Sequence, residues 1–554
     1  MYKKKIFKIL INIGRLLLLF LFVHVTAWTD EAQSQQQPQS QTKTGTILKA
    51  EDFITMYPGV PLEKEKDLVD AWIAENNAIN ERGTIDIQAL ISGRLPKDTP
   101  GVSTVIKATE DMIRYENGKY DPENPLLNDA DYARKAGFEN IFALPPFAAH
   151  DDSYMVPYPK GARDTFLVED LNHSVTYYKP IYPGDTLYLI VDSRHFLDIT
   201  PEEGYMCRSV ALEFKGSIYN QKGEKVNDVV YRVVENLFNF KDSSNPGNYP
   251  QRIVPEWLSR PAHYYTDEDW ETIKGIWAKE RRQGSAPLYW EDVNIGDRPA
   301  WTLDGPIDLS YGSRGGGFGT IQTGMSTGGA RTLKKEIMDP EIFKTMVRDE
   351  KTGIYQLPDK ADYFPIVPSA PGASSRSQGN AAQSGGFPGG DRQGAPGASE
   401  GAPGGAPGAQ GAPGAPDTQG GAAAALADDT KGSMKQADNR STFMNTQGRE
   451  LALRHISNWM GEKGWFYNIS WSMMSGDNLA DFGYIVPENP QAVRWLEKVP
   501  EMKGKHVNAH GVTTDVAIVK SYVYNKYVRD NEFFVDLAWW IESIDGYIWM
   551  EGGA

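Results

Sequence analysis

The chain of 554 residues has a single cysteine, Cys207. One cysteine excludes an intramolecular disulfide and a cysteine-rich zinc site. Positive charge is also scarce, because 57 Lys and Arg stand against 73 Asp and Glu, for a net charge of −16. Binding to nucleic-acid phosphates needs clustered basic side chains, so this balance argues against a nucleic-acid partner. Aromatic residues make up 11% of the chain, which is enough for a substantial core.

The first 28 residues combine a basic start with a short apolar run, residues 16–25. This pattern predicts a secretory signal peptide, with a retained membrane anchor as the alternative. The run is shorter than the ~20 residues that a spanning helix needs. We therefore expect an exported or membrane-anchored protein in an extracytoplasmic space such as the periplasm, or a cytoplasmic one if the start is misassigned. Any membrane contact would be made only through this segment.

Two segments have almost no large apolar residues. Residues 29–50 are rich in Gln and Ser, and residues 368–427 are rich in Gly, Ala and Pro. Neither has enough apolar surface to offset the entropy cost of ordering a chain. The sequence therefore predicts a disordered spacer at 29–50 and a disordered surface insertion at 368–427, which is open to a docking role.

The most informative stretch is residues 121–190. A Pro-punctuated loop is followed by a short helix with Ala130, Ala133 and Ala136 on one side and Gly137 to end it. Next comes an apolar run into Pro145-Pro146, and proline suits the first turn of a buried helix. From Asn172 a period of two predicts a strand, and a Pro-Gly-Asp turn precedes a second strand.

The rest of the chain repeats these elements. Residues 210–219 and 226–234 are apolar runs joined at a hairpin signal, residues 220–223. Three later segments predict a second copy of these elements. They are a strand and turn at 290–297, a strand with a Gly-Asp turn at 465–477, and a strand at 533–541 that follows Tyr524-Asn525 and a charged turn. The predicted layout is a first unit at 51–240, a connector at 241–289 and a second unit at 290–554, interrupted by the insertion.

The passage resembles the hot-dog fold of the MaoC-like acyl-thioester hydratases and dehydratases. The matching pieces are Asp121, Asn124-Pro125, residues 143–147 (ALPPF) and residues 179–185 (KPIYPGD). The segment WMGEKG at 459–464 is similar to a W-M-G-D-x-G segment of double hot-dog MaoC-like proteins, with Glu462 in place of Asp. The resemblance implies an α+β fold of two hot-dog units, each a central helix wrapped by an antiparallel sheet.

The resemblance also implies a reaction, the reversible addition of water at the 2,3 position of an acyl thioester, usually of coenzyme A. A carboxylate and an imidazole on one loop perform the acid–base chemistry in that family. Here Asp121 would be the base and Asn124 the orienting residue, but Leu127 occupies the position of the histidine, or Asn128 if the register moves. His150 and Asp151 are the predicted substitutes. The competing interpretation is a turn role for Asp121 and Asn124, and a helix-edge role for His150 and Asp151.

Three hypotheses follow. The chain is an acyl-thioester hydratase or dehydratase, or a catalytically inactive protein that binds an acyl thioester or lipid, or an exported scaffold. The missing histidine favours the second. No cofactor is implied, since coenzyme A enters as part of the substrate, and the residues predict no metal site. A homodimer is compatible with the resemblance.

Overall fold

The computed structural model describes residues 66–144, 147, 166–199, 208–237, 263–306, 327–358, 445–473, 492–509 and 515–554. All of them belong to one compact unit, Leu48–Ala554. The N-terminal segment, the spacer and the insertion at 368–427 lie outside these residues, so what the sequence indicates about them stays a prediction. Within the described ranges, no helix has both the length and the apolar character needed to cross a membrane.

Nine α-helices and twelve strands occur in the described ranges. The helices are α1 (Lys66–Glu81), α2 (Ile87–Ile91), α3 (Glu110–Tyr120), α4 (Pro125–Asn128), α5 (Ala130–Ala136), α6 (Asp267–Lys279), α7 (Thr327–Met338), α8 (Pro340–Phe343) and α9 (Asn445–Met460). The strands are β1 (Val102–Lys107), β2 (Phe166–Tyr177), β3 (Thr186–Asp198), β4 (Arg208–Tyr219), β5 (Lys225–Leu237), β6 (Thr302–Asp304), β7 (Val347–Arg348), β8 (Tyr355–Gln356), β9 (Asn468–Met473), β10 (Ala517–Arg529), β11 (Glu532–Glu542) and β12 (Ile548–Gly553).

Ten of these strands form one antiparallel sheet in the order β1-β3-β4-β5-β2-β9-β12-β11-β10-β6. Within the first half, the strands lie in the order first, third, fourth, fifth, second. The second half repeats this order from its outer edge, so the two halves meet at their second strands, β2 and β9. His173 of β2 is the register partner of Trp471 of β9 at this junction. The repeated order confirms the predicted α+β architecture of two hot-dog units.

Helix α9 is the central helix of the second unit. Leu451, Ala452, Leu453 and Ile456 are buried in a core that they share with Trp539 of β11 and with apolar side chains of the first unit. The corresponding helix predicted after Pro145-Pro146 lies outside the described residues, apart from Phe147, which is 2% exposed. The main core therefore runs continuously beneath both halves of the sheet.

Local turn chemistry agrees with the sequence in the first unit. Gly137 ends α5 with a φ of 106°, and Gly184 adopts a φ of 98° in the predicted turn before β3. The β4–β5 hairpin closes at the predicted residues, where Gly223 donates its N–H to the Asn220 carbonyl at 2.9 Å. Glycine adopts positive φ at little steric cost, which is why it suits the end of a helix and the turns before and between strands.

One expectation for the second unit was wrong. Residues 290–297 contain a 3-10 turn at Trp290–Asp292 and a turn at Gly296, rather than a strand. The strand that contains Tyr524-Asn525 continues to Arg529 past a register shift between Val523 and Asn525. The hairpin closes within the predicted charged turn, at Asp530 and Asn531, both at positive φ, because Asp and Asn tolerate the left-handed conformation that tight hairpins need.

A buried ionic cluster joins α9 to the edge of the second unit. Arg454 Nη2 donates to Asp304 Oδ2 at 2.5 Å, and Arg454 Nη1 lies 3.8 Å from Glu280 Oε1. The three side chains are at most 3% exposed. Beside them, burial and the neighbouring Arg454 guanidinium lower the pKa of His455 to about 3, so the imidazole is neutral between Thr302 and Ser521.

Candidate functional site

The loop that follows α3 brings two of the predicted site residues together. Asp121 is the C-cap residue that follows helix α3, and Asn124 caps α4, accepting the Leu126 N–H at 3.2 Å with Pro125 at the first helical position. Asn117 of α3 fixes the loop, because its amide donates to the carbonyls of Leu127 at 2.7 Å and Phe142 at 2.9 Å. The loop is therefore fixed by buried hydrogen bonds.

The carboxylate of Asp121 is fully buried, with 0% exposure, and is engaged at both oxygens. Arg282 donates from Nη2 to Oδ1 at 2.5 Å and from Nη1 to Oδ2 at 3.1 Å. Asn124 Nδ2 also donates to Oδ2, at 3.0 Å. A bidentate guanidinium–carboxylate pair has both strength and fixed geometry. In this arrangement Asp121 holds Arg282 and Asn124 in place.

Arg282 reaches Asp121 from the connector between the two units. Its neighbours are fixed to the C-terminal end of α9: the Gln283 N–H donates to the Asn458 carbonyl at 2.7 Å, and the Glu462 N–H donates to the Gly284 carbonyl at 3.0 Å. The connector therefore links the first unit's loop with the second unit's central helix. Two of the five N–H groups of Arg282 are used by Asp121.

A pocket lies between these three elements, with a cavity volume of about 50 Å³. This volume has room for roughly four waters, at 10–15 Å³ for each on this measure. Its apolar lining comes from both units and comprises Leu126, Leu127, Phe138, Phe142, Leu144, Met460, Trp465 and Phe466. Its polar lining comprises Asn124, Arg282, Ser457 and Glu462. An apolar pocket with a few polar groups is the usual form of a small-molecule site.

Glu462 is the carboxylate that lines this pocket. Tyr132 of α5 donates its hydroxyl to Glu462 Oε1 at 2.7 Å. This hydrogen bond to the carboxylate raises the pKa of Tyr132. Glu462 Oε2 has no hydrogen-bond partner within the described chain. One unit thus supplies a carboxylate whose orientation is set by a tyrosine of the other unit.

The sequence located part of this site. Asp121 and Asn124 lie together as predicted, and Leu127 is 3% exposed and lines the pocket. His150 and Asp151 lie outside the described residues, so their proposed roles stay predictions. Arg282 was missed, because no local pattern relates a connector arginine to a loop 161 residues earlier. Across the described segments, no group of three or more His, Cys, Asp and Glu is arranged to hold a metal ion.

Sequence comparison identifies no relative: no protein-family model matches the chain, and no curated protein sequence matches it. Comparison with solved structures gives overlaps of low identity. A MaoC-like dehydratase is 11% identical, with 82% of this chain and 95% of that chain covered and a TM-score of 0.35. A putative MaoC domain protein dehydratase from Chloroflexus aurantiacus is also 11% identical, covering 82% and 92%, with a TM-score of 0.34.

A conserved hypothetical protein of Mycobacterium tuberculosis, described as having a double hotdog fold, is 8% identical to this chain. The overlap covers 81% of this chain and 93% of that one, with a TM-score of 0.33. The double hot-dog arrangement of the present chain is established by its own repeated strand order.

Proposed function

We propose that this double hot-dog chain is a MaoC-like protein that binds an acyl thioester in the pocket between its two units. The observation that carries the proposal is the composition of the lining: eight apolar side chains form the wall, and Asn124 and Arg282 lie beside it. The apolar wall suits an acyl chain, and the N–H groups of Arg282 that Asp121 does not use suit a thioester carbonyl. The small volume favours short acyl groups.

Hydration or dehydration of that thioester is the second candidate function. The observation in its favour is the 3.0 Å hydrogen bond between Asn124 and Asp121, the two residues that the family resemblance relates to catalysis. Against Asp121 as the base stands its bidentate pairing with Arg282 in a fully buried position. Removing a proton from water would require Asp121 to leave that pair. Binding therefore has the better support.

Filling the pocket tests the binding proposal. Leu127→Trp adds a large ring at a lining residue that is 3% exposed, so we expect the affinity for a crotonyl thioester to fall at least ~10-fold. Leu127→Met is the matched control, because it keeps the volume and should keep the affinity. Calorimetric titration measures both. Equal affinities for the two folded variants would place binding elsewhere and contradict the proposal.

A further inference from the structure

The pocket contains one carboxylate that is positioned for proton transfer, and it is not Asp121. Both oxygens of Asp121 accept hydrogen bonds from Arg282, and its side chain is buried outside the pocket lining. Glu462 lines the pocket directly, with a single hydrogen bond, from Tyr132, to one of its two oxygens. A general base must reach the proton that it removes, directly or through one water. Of these two carboxylates, Glu462 is the one that lines the described part of the pocket.

The position of Glu462 is fixed from three sides. Its backbone N–H donates to the Gly284 carbonyl at 3.0 Å, and its Oε1 accepts from Tyr132 at 2.7 Å. Gly461 precedes it with a φ of 71°, and an added Cβ there would lie 3.0 Å from the Gly284 carbonyl oxygen, so both the backbone conformation and the close connector favour glycine. Oriented residues are what efficient proton transfer needs.

We propose that Glu462 is the general base for hydration of a 2,3-unsaturated acyl thioester bound in this pocket, an inference that rests on the proposed binding function. Glu462 Oε2 takes a proton from water while the water oxygen bonds to carbon 3. The electron pair of the double bond moves toward the thioester carbonyl, giving an enolate. Carbon 2 then takes the proton back from Glu462. One water is consumed, one C–O and one C–H bond form, and the carboxylate is regenerated.

Tyr132 and Arg282 have different roles in this scheme. Tyr132 is a positioning residue, because it contacts the carboxylate and is not among the residues that line the pocket. Arg282 lines the same pocket, and its N–H groups that Asp121 does not use are suited to the negative charge that develops on the thioester oxygen. Donors that are held in place before reaction stabilise such charge without reorganising. Asp121 contributes by holding Arg282.

Glu462→Gln tests the assignment with little change in size. Turnover of a crotonyl thioester should fall roughly 10²–10⁴-fold, the usual loss when a general base is removed. Affinity for the saturated butyryl thioester should stay within about threefold, because the binding wall is unchanged. Glu462→Asp keeps a carboxylate and should recover part of the turnover. Glu139→Gln, on the exposed loop beside Phe138, is the matched control and should behave as wild type.

The outcomes separate this inference from the binding proposal. Wild-type turnover that Glu462→Gln leaves unchanged overturns the assignment of Glu462. Wild-type binding of the butyryl thioester without hydration of the crotonyl thioester also overturns it, and leaves the binding function standing. Absence of binding by the folded wild-type protein overturns both. Loss of turnover in Glu462→Gln with retained binding and partial recovery in Glu462→Asp supports the inference.

Discussion

Arg282→Leu should lower the free energy of unfolding by roughly 3–5 kcal/mol, the usual cost of removing one partner of a buried ion pair. The Asp121 carboxylate is 0% exposed and receives two of its hydrogen bonds from Arg282. Without the guanidinium, the negative charge remains buried with Asn124 as its side-chain donor. Urea unfolding at neutral pH measures the effect.

Two further variants identify the cause of that loss. Arg281→Leu changes the exposed neighbour and should stay within ~0.5 kcal/mol of wild type. Asp121→Leu combined with Arg282→Leu removes both charges and should recover most of the stability, since apolar replacements of a buried pair are often neutral. If Arg282→Leu were as stable as Arg281→Leu, the pair would not hold the connector against the loop.

Arg454→Leu should be of similar severity, costing roughly 3–5 kcal/mol. The change removes the guanidinium that donates to Asp304 at 2.5 Å and lies 3.8 Å from Glu280, inside a cluster that is at most 3% exposed. Leucine restores some packing but cannot neutralise the carboxylates. The readout is again the free energy of unfolding from a urea titration.

An exposed ion pair provides the comparison for Arg454. Arg114 pairs with Glu110 at 2.7 Å, with side chains 42% and 50% exposed. Exposed pairs contribute about 0–1 kcal/mol, so Arg114→Leu should have a small effect. If Arg454→Leu lowered the free energy of unfolding no more than Arg114→Leu does, the buried carboxylates would not need Arg454 to neutralise them.

The sequence predicted the elements whose signals are local. The strand predicted from Asn172 is present but begins at Phe166. This strand, the Gly137 stop and the hairpin at 220–223 each depend on side-chain periodicity or on turn residues within a few positions. The hairpin in the second unit closes at Asp530 and Asn531, within the charged turn that the sequence predicted between Tyr524-Asn525 and Phe533. Local sequence patterns were sufficient to locate these elements where the turn residues were interpreted by the backbone conformations that they favour.

The candidate site was predictable only in part, because half of it is assembled by tertiary structure. Asp121 and Asn124 are near neighbours in sequence, so their motif was visible. The partner of Asp121 is Arg282, and the pocket carboxylate Glu462 comes from the other unit. Such contacts depend on how the connector passes α9, and no periodicity encodes that path. For the same reason, the sequence could not show that the Asp121 carboxylate is paired with Arg282.

Photo-crosslinking is the most direct test of the claim that the acyl group binds between the two units. A short acyl thioester with a diazirine at the acyl end would be bound, irradiated and mapped by peptide mass spectrometry. We predict labels within residues 124–144, 282–284 and 457–466, and their loss in the presence of excess unlabelled crotonyl thioester. If the labels that excess unlabelled thioester suppresses were confined to other parts of the chain, the assignment of this pocket would be contradicted.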